Sequence, residues 1–451
     1  MTWFSSLKSA SITLDIGRCR GLQLLTVLLI DDETGNTKLA GFELTADKDG
    51  DSCAKIVYRI LDDKIKIPHE QLNKIISGVV GDGAFIKGNE PFKAKMCELI
   101  GKPLLFRWDI LHLVNRSHIK ARDESKPVNK CHTLPQLMNF VQSESVEWRS
   151  GADFTRITIE TLGAFKRPKL YSETRLVNYE FNQLQRFVEC CKYWDIPDWV
   201  LIAAKLYLPV TYVIHLILQR VQATTIKTEY IFRVFQGDNP EGKAAMILAL
   251  DIAECAINQQ TFDHLLLDQL PEVVKTKKTG ENQFKKDIEA FMKKNKEYYT
   301  VQEVAGIPRT RGEVITVNTV RDTVTMIKAY IGILWAEIAD RFVQFDLTGS
   351  TCWSEAPAES VFSTWGTILD HRQSLSVKHA EMLCRVVRDG PKTATRESEI
   401  FMTKISSKYK DGFGLRFATK DWQPGFISNV VQKIQEGIPW EHKESKTDET
   451  D

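Results

Sequence analysis

A continuous apolar run, Leu24 to Ile30 (LLTVLLI), constrains this chain more than any other segment. A strand without polar alternation is buried on both faces, so it belongs near the centre of a covered sheet. Its neighbours in sequence supply partners. Ser11 to Asp15 is a short β-rich run, and Gly35-Asn36 is a hairpin signal leading into Lys38 to Thr45. Ile56, Val57, Ile60 and Leu61 then recur at helical spacing. Ile75 to Val80 reads as a fourth strand, stopped by Gly81-Asp82-Gly83. Phe92, Met96, Leu99 and Ile100 form one helical face, and Pro103 to Trp108 reads as a fifth strand.

The resulting order, βββαβαβ, resembles that of an RNase H-like mixed sheet, in which the first and fourth strands lie side by side, although other α/β layouts share parts of it. From about Asn129 the pattern becomes helical, with amphipathic runs such as Phe181 to Cys191 and Met246 to Ile257. The expected fold is therefore α/β plus a large all-α part: a first core segment over 1–128, a helical insertion over 129–345, and a closing C-terminal segment over 346–440. Residues 441–451 (EHKESKTDETD) read as a disordered tail.

Composition narrows the function classes. Of 451 residues, 43% are hydrophobic and 26% charged, and the formal net charge is +1, so any polyanion-binding surface must come from local patches. Nine cysteines include no C-x-x-C pair, which argues against zinc fingers and for reduced thiols in the cytosol or nucleus. Trp199 to Leu218 has the length of a membrane span, but Lys205, Pro209 and His215 within it favour a buried helix and no membrane partner.

Two acids stand at strand ends. Asp15 closes the first strand and Asp82 follows the fourth, in VVGDGA. If those strands are neighbours, two carboxylates remote in sequence meet at one sheet edge. Hard divalent cations such as Mg²⁺ or Mn²⁺ prefer such oxygen ligands, and two of them roughly 4 Å apart assist phosphoryl transfer. The competing reading is that both are ordinary turn-capping aspartates beside glycine.

Three ordered segments then carry a resemblance. VVGDGAFIKGNEPFKAKMCELIGKPLLFRWDILHLVNRSH resembles the stretch of hAT-superfamily DNA transposases that holds their second catalytic aspartate, followed by Cys-x-x-His and Asn. Asp82, His112 and Asn115 match, while Asp109 stands in place of the cysteine. SETRLVNYEFNQLQRF is similar to the family's Thr-Arg-Trp element; Arg175 matches and Leu176 replaces the tryptophan. SEAPAESVFSTWGTILDHRQSL resembles the C-terminal Glu-Arg-x-Phe-Ser region; Glu359, Phe362, Ser363, Arg372 and Leu375 match, and Ser360 replaces the arginine.

The resemblance implies an Asp-Asp-Glu site of Asp15, Asp82 and Glu359 holding Mg²⁺ or Mn²⁺, and metal-dependent DNA strand cleavage and transfer without a small-molecule substrate. It also implies a nuclear (or cytoplasmic) protein that binds DNA and forms a homodimer or larger assembly. Phe362, Trp365, Leu369 and Leu383 supply apolar groups for self-association. The family's N-terminal zinc finger has no counterpart here, so recognition of specific transposon ends is not expected of this chain. With the changes at Asp109, Leu176 and Ser360, this keeps a second reading open: a domesticated, catalytically inactive scaffold.

DNA contacts are expected from Asp109, His112, Arg116 and Lys120 beside the site, from Arg175, and from the lysine-rich stretch containing Lys277, Lys278, Lys285 and Lys286. The plain alternative for the lysines is a solvated helix face. GAFIKGNE lacks the Lys-Ser/Thr of a phosphate loop, and DKDGD (Asp47 to Asp51) lacks the closing glutamate of a calcium loop, so both read as turns. His112, His118, Cys131 and His132 fit no zinc spacing.

Overall fold

The computed structural model describes residues 2–19, 22–45, 49–125, 132–162, 176–190, 196–222, 228–258, 317–342, 353–371 and 376–389. The fold is mixed α/β. A short helix α1 (Thr2–Ser5) precedes β1 (Ala10–Cys19), β2 (Leu22–Asp31) and β3 (Thr37–Leu44). Next come α2 (Gly50–Arg59), a π turn (Ile60–Lys64), α3 (His69–Ile75) and β4 (Ile76–Gly81). Helices α4 (Gly83–Ile86) and α5 (Glu90–Ile100) lead to β5 (Leu105–Trp108). The sheet order is β3-β2-β1-β4-β5, antiparallel between the first three strands and parallel across β1-β4-β5.

Local chemistry explains the boundaries. At the β2-β3 hairpin, Gly35 takes a positive φ of 71°, and the Asp31 carboxylate accepts from Glu33 N and Thr34 Oγ1. The DKDGD segment contributes a helix cap: Asp49 accepts from Ser52 N at 3.0 Å. Asn89 likewise caps α5 through Phe92 N, and Gly101 ends that helix at φ 82°. The β2 run is fully buried from Leu24 through Ile30, including Thr26, its one polar residue, between Leu25 and Val27.

β1 is longer than the sequence suggested. Its pairing with β4 ends at Thr13↔Val80, whereas its pairing with β2 runs on to Cys19↔Leu22. Asp15 is therefore an interior residue of β1, on a β1-β2 ribbon that overhangs the end of β4. The long apolar β2 sustains the ribbon after β4 has turned away at Gly81-Asp82.

The all-α part begins with α6 (Ile110–Glu124), α7 (Leu134–Ser150), α8 (Ala152–Leu162), α9 (Leu176–Cys190) and α10 (Asp198–Val221). It continues with α11 (Thr228–Phe235), α12 (Glu241–Ile257) and α13 (Val317–Phe342). One contiguous core runs from Leu7 to Trp353 and joins these helices, other than α8, to the sheet. Among the described residues α10 alone is long and apolar enough to cross a membrane, and 78% of its apolar window is buried within the protein. Pro209 inside it is buried too.

Helices α14 (Ala356–His371) and α15 (Val377–Asp389) follow. The chain divides into two compact units, Met1–Phe362 and Ser363–Asp451, with the boundary inside α14. The sheet and the described insertion helices thus share one unit.

Candidate functional site

The end of the sheet at the C-terminal edge of β4 and β5 gathers acids from three parts of the sequence. The β1-β4 pairing ends at Thr13↔Val80, two residues before Asp15 on β1 and before Asp82 beyond β4. Asp82 caps α4, accepting from Ala84 N at 2.7 Å and Phe85 N at 3.3 Å, so its turn is fixed by the helix it starts. Glu359 lies in the first turn of α14. Burial raises the Asp15 carboxyl to about 6, and repulsion from Glu359 and Asp82 adds to that rise. The three acids of the sequence reading are thus electrostatic neighbours. Phe362, one turn beyond Glu359, lies over Gly17: a Cβ added there would stand 2.5 Å from its ring.

A second group sits beside them. Asp109 follows β5, is fully buried, and donates its backbone N–H to Gly81 O at 2.9 Å. Its carboxylate accepts from His112 N at the start of α6 and from Glu355 N at the head of α14, each at 3.0 Å. One buried anion therefore faces the N-termini of two helices, where the backbone dipoles favour negative charge. Ile110 N donates to Trp353 O at 3.0 Å, and the buried Arg107 guanidinium lies 4.4 Å from the Trp353 ring centre. These contacts hold the segment leading into α14 against the end of the sheet.

His112 Nε2 lies 2.7 Å from Glu355 Oε1. Burial would lower His112, but the Glu355 hydrogen bond and the Glu355, Asp109 and Asp82 charges overrule it and push His112 up to about 9. Burial holds Glu355 well above the usual carboxylate range despite the His112 hydrogen bond, and repulsion from Asp109 and Asp15 adds to it. The two shifts describe one shared proton from opposite sides. We assign it to His112, the more basic group, whose ring keeps 25% of its surface in solvent against 2% for Glu355. Asp109 is raised to about 6, chiefly by burial.

The placements of the other sequence-predicted residues differ. Asp109 faces the interior and presents no carboxylate to a DNA surface, because both its oxygens take backbone N–H groups. Arg116 is exposed on α6, and Lys120 pairs with Glu337 of α13 at 2.6 Å. Trp365 and Leu383 are buried, and Phe362 is half-buried. Arg175, Lys277, Lys278, Lys285 and Lys286 lie outside the described residues, as do the side chain of Leu369 and the 441–451 tail. The histidines disperse: His118 is buried against Glu180 and Tyr330, and His132 stacks on Trp199 at 3.8 Å.

Glu355 is the site residue that sequence reasoning missed. It stands one turn before Glu359 in SEAPAE. That i,i+4 spacing was the available signal, since it sets both acids near the head of one helix. No family model matches this chain, and no curated protein matches it.

Proposed function

We propose that this is a hAT-transposase-like or transposase-derived protein with an RNase H-like core, and that Asp15, Asp82 and Glu359 form a metal-dependent site for DNA strand cleavage and transfer. The observation that carries this reading is the convergence of these acids at one sheet end, where Asp15 is raised to about 6 by burial and by its two acidic neighbours. The strand order β3-β2-β1-β4-β5 supports the RNase H-like assignment, because it places β1 beside β4.

The donors suit a hard divalent cation. Three carboxylates held on a strand, a helix cap and a first helical turn offer oxygen ligands and net negative charge, the preference of Mg²⁺ or Mn²⁺. When bound, such ions supply Lewis-acid stabilisation of the attacking and leaving oxygens. The chain's own part is positional. Asp82 is locked by Ala84 N and Phe85 N, and the head of α14 is tied to Asp109, which fixes where Glu359 can reach. Beside these acids the His112 imidazole, pushed up to about 9 chiefly by its hydrogen bond and charge pairing with Glu355, is partly exposed. DNA binding, nuclear residence and self-association belong to the same proposal.

The experiment is Mg²⁺- or Mn²⁺-dependent nicking of hairpin or pre-nicked DNA supplied in excess. Asp15→Asn, Asp82→Asn and Glu359→Gln should each abolish nicking by the wild type while leaving the circular dichroism spectrum unchanged. Nicking that survives all three substitutions removes the site assignment. A folded wild type that never nicks DNA favours the inactive, self-associating scaffold.

A further inference from the structure

The neighbouring trio carries a separate inference. Asp109, His112 and Glu355 each place one potential ligand atom so that all lie within 4.8 Å of one another. They come from the β5-α6 junction, the first turn of α6 and the head of α14. Glu355 is 1% exposed, and its second carboxylate oxygen, Oε2, is buried with no hydrogen-bond partner. A buried carboxylate oxygen left unpaired is costly, and a bound cation is one of the few groups that can satisfy it. Asp109 uses one lone pair on each oxygen for His112 N and Glu355 N, so each oxygen keeps a lone pair. The His112 ring is partly exposed, which gives an entry path.

We propose that Asp109, His112 and Glu355 form a second cation site, distinct from the Asp15, Asp82 and Glu359 acids, that takes a borderline divalent ion, Zn²⁺ or Mn²⁺, in preference to Mg²⁺ or Ca²⁺. The imidazole decides the selectivity. One nitrogen and two carboxylates suit Zn²⁺ or Mn²⁺, whereas Mg²⁺ and Ca²⁺ favour all-oxygen shells. Three protein ligands also leave a position for water, as in open zinc sites. The cation binds His112 Nε2 in place of the proton it shares with Glu355, with the Glu355 carboxylate reaching the ion through Oε2, and that proton leaves to solvent. Bonds of about 2 Å set ligand atoms roughly 3 Å apart around one ion, so His112 and Glu355 part from their 2.7 Å contact to admit it. Bound there, the ion joins α6 to α14 and tightens the end of the sheet.

The test uses the full chain stripped with a chelator. In an Asp15→Asn/Glu359→Gln background, which weakens the neighbouring acids, calorimetric titration should show one Zn²⁺ site per chain. Adding His112→Gln should weaken it at least about tenfold, and Mg²⁺ should compete poorly. A His112→Gln chain that titrates like its background overturns the proposal, as does absence of Zn²⁺ and Mn²⁺ binding up to millimolar metal. If His112→Gln fails to fold, X-ray absorption on the Zn²⁺-loaded background chain decides. Imidazole scattering in the outer shells supports the site, and its absence rejects it. Because the background already lacks two of the proposed catalytic acids, failure here leaves the strand-cleavage reading standing, and success does not depend on it.

Discussion

Two buried acidic clusters in this protein have opposite electrostatics. In the helical part, Glu180 of α9 is 2% exposed and surrounded by partners: Arg122 at 2.6 Å, His118 at 2.8 Å and the Tyr207 hydroxyl at 3.4 Å. Burial alone would raise it, but His118 and Arg122 reverse the effect and hold its carboxyl below the usual range. At the sheet end, Asp15, Asp82, Asp109, Glu355 and Glu359 gather around the imidazole of His112, and Asp15 and Asp109 are both pushed up to about 6. A cluster that neutralises itself joins elements; a cluster that does not is suited to an incoming cation. The first ties α6, α9, α10 and α13 together through His118, Glu180, Tyr207 and Tyr330. The second draws its acids from four separate stretches of the chain, β1, the end of β4, the end of β5 and the head of α14.

The largest effect should come from breaking the neutral cluster. Glu180→Leu leaves Arg122 and His118 without their anion and should cost about 3–5 kcal/mol, read by urea denaturation. A loss under about 1 kcal/mol would mean that the network contributes little, and the contrast would collapse. Because the Glu180 carboxyl is lowered in the folded state, its contribution is present above its unfolded value and is lost as pH falls through the folded one. An acid titration should therefore show a destabilising limb below about pH 4, where free glutamates titrate, and Glu180→Gln should lack it.

A smaller effect is expected where the acidic end is packed. Gly17→Ala drives a methyl into the Phe362 ring and should destabilise the chain by about 1–3 kcal/mol, measured by thermal melting. It should also reduce nicking more than its stability loss explains, because Phe362 shares α14 with Glu359. A neutral Gly17→Ala would show that the ring rotates away freely.

The smallest change should have the opposite sign. Asp15 holds its proton more tightly folded than unfolded, so in metal-free buffer stability should decline as pH rises from about 4 to about 6. Asp15→Asn should flatten that decline and be neutral or stabilising by about 1 kcal/mol near neutral pH. Clear destabilisation by Asp15→Asn, with the pH slope kept, would place Asp15 among the structural acids, like Glu180.

Much of the fold could be read from local pattern. The strand positions followed from period and turn chemistry, because Leu24 to Ile30 is apolar but for Thr26 and Gly35 meets the backbone demand of a tight hairpin. Asp82 followed from its place after β4, whereas Asp15, expected to close the first strand, lies inside a β1 that runs on to Cys19. The short α3 before β4 was hidden, since seven residues with few apolar positions carry little periodic signal. The overhang of β1 beyond Thr13 was hidden as well, because strand length depends on which partner continues.

The sequence by itself determined the alternation of strands and helices and the acid that follows β4, since backbone propensity and side-chain period act over a few residues. Only the tertiary structure decided that Asp109 is an interior clamp between two helix N-termini, that Glu355 joins His112 at 2.7 Å, and that Phe362 lies on Gly17. His112 and Glu355 are separated by more than half the chain. Burial and the summed field of neighbouring charges arise only when such segments meet, and those two quantities distinguish a structural carboxylate from one suited to a cation.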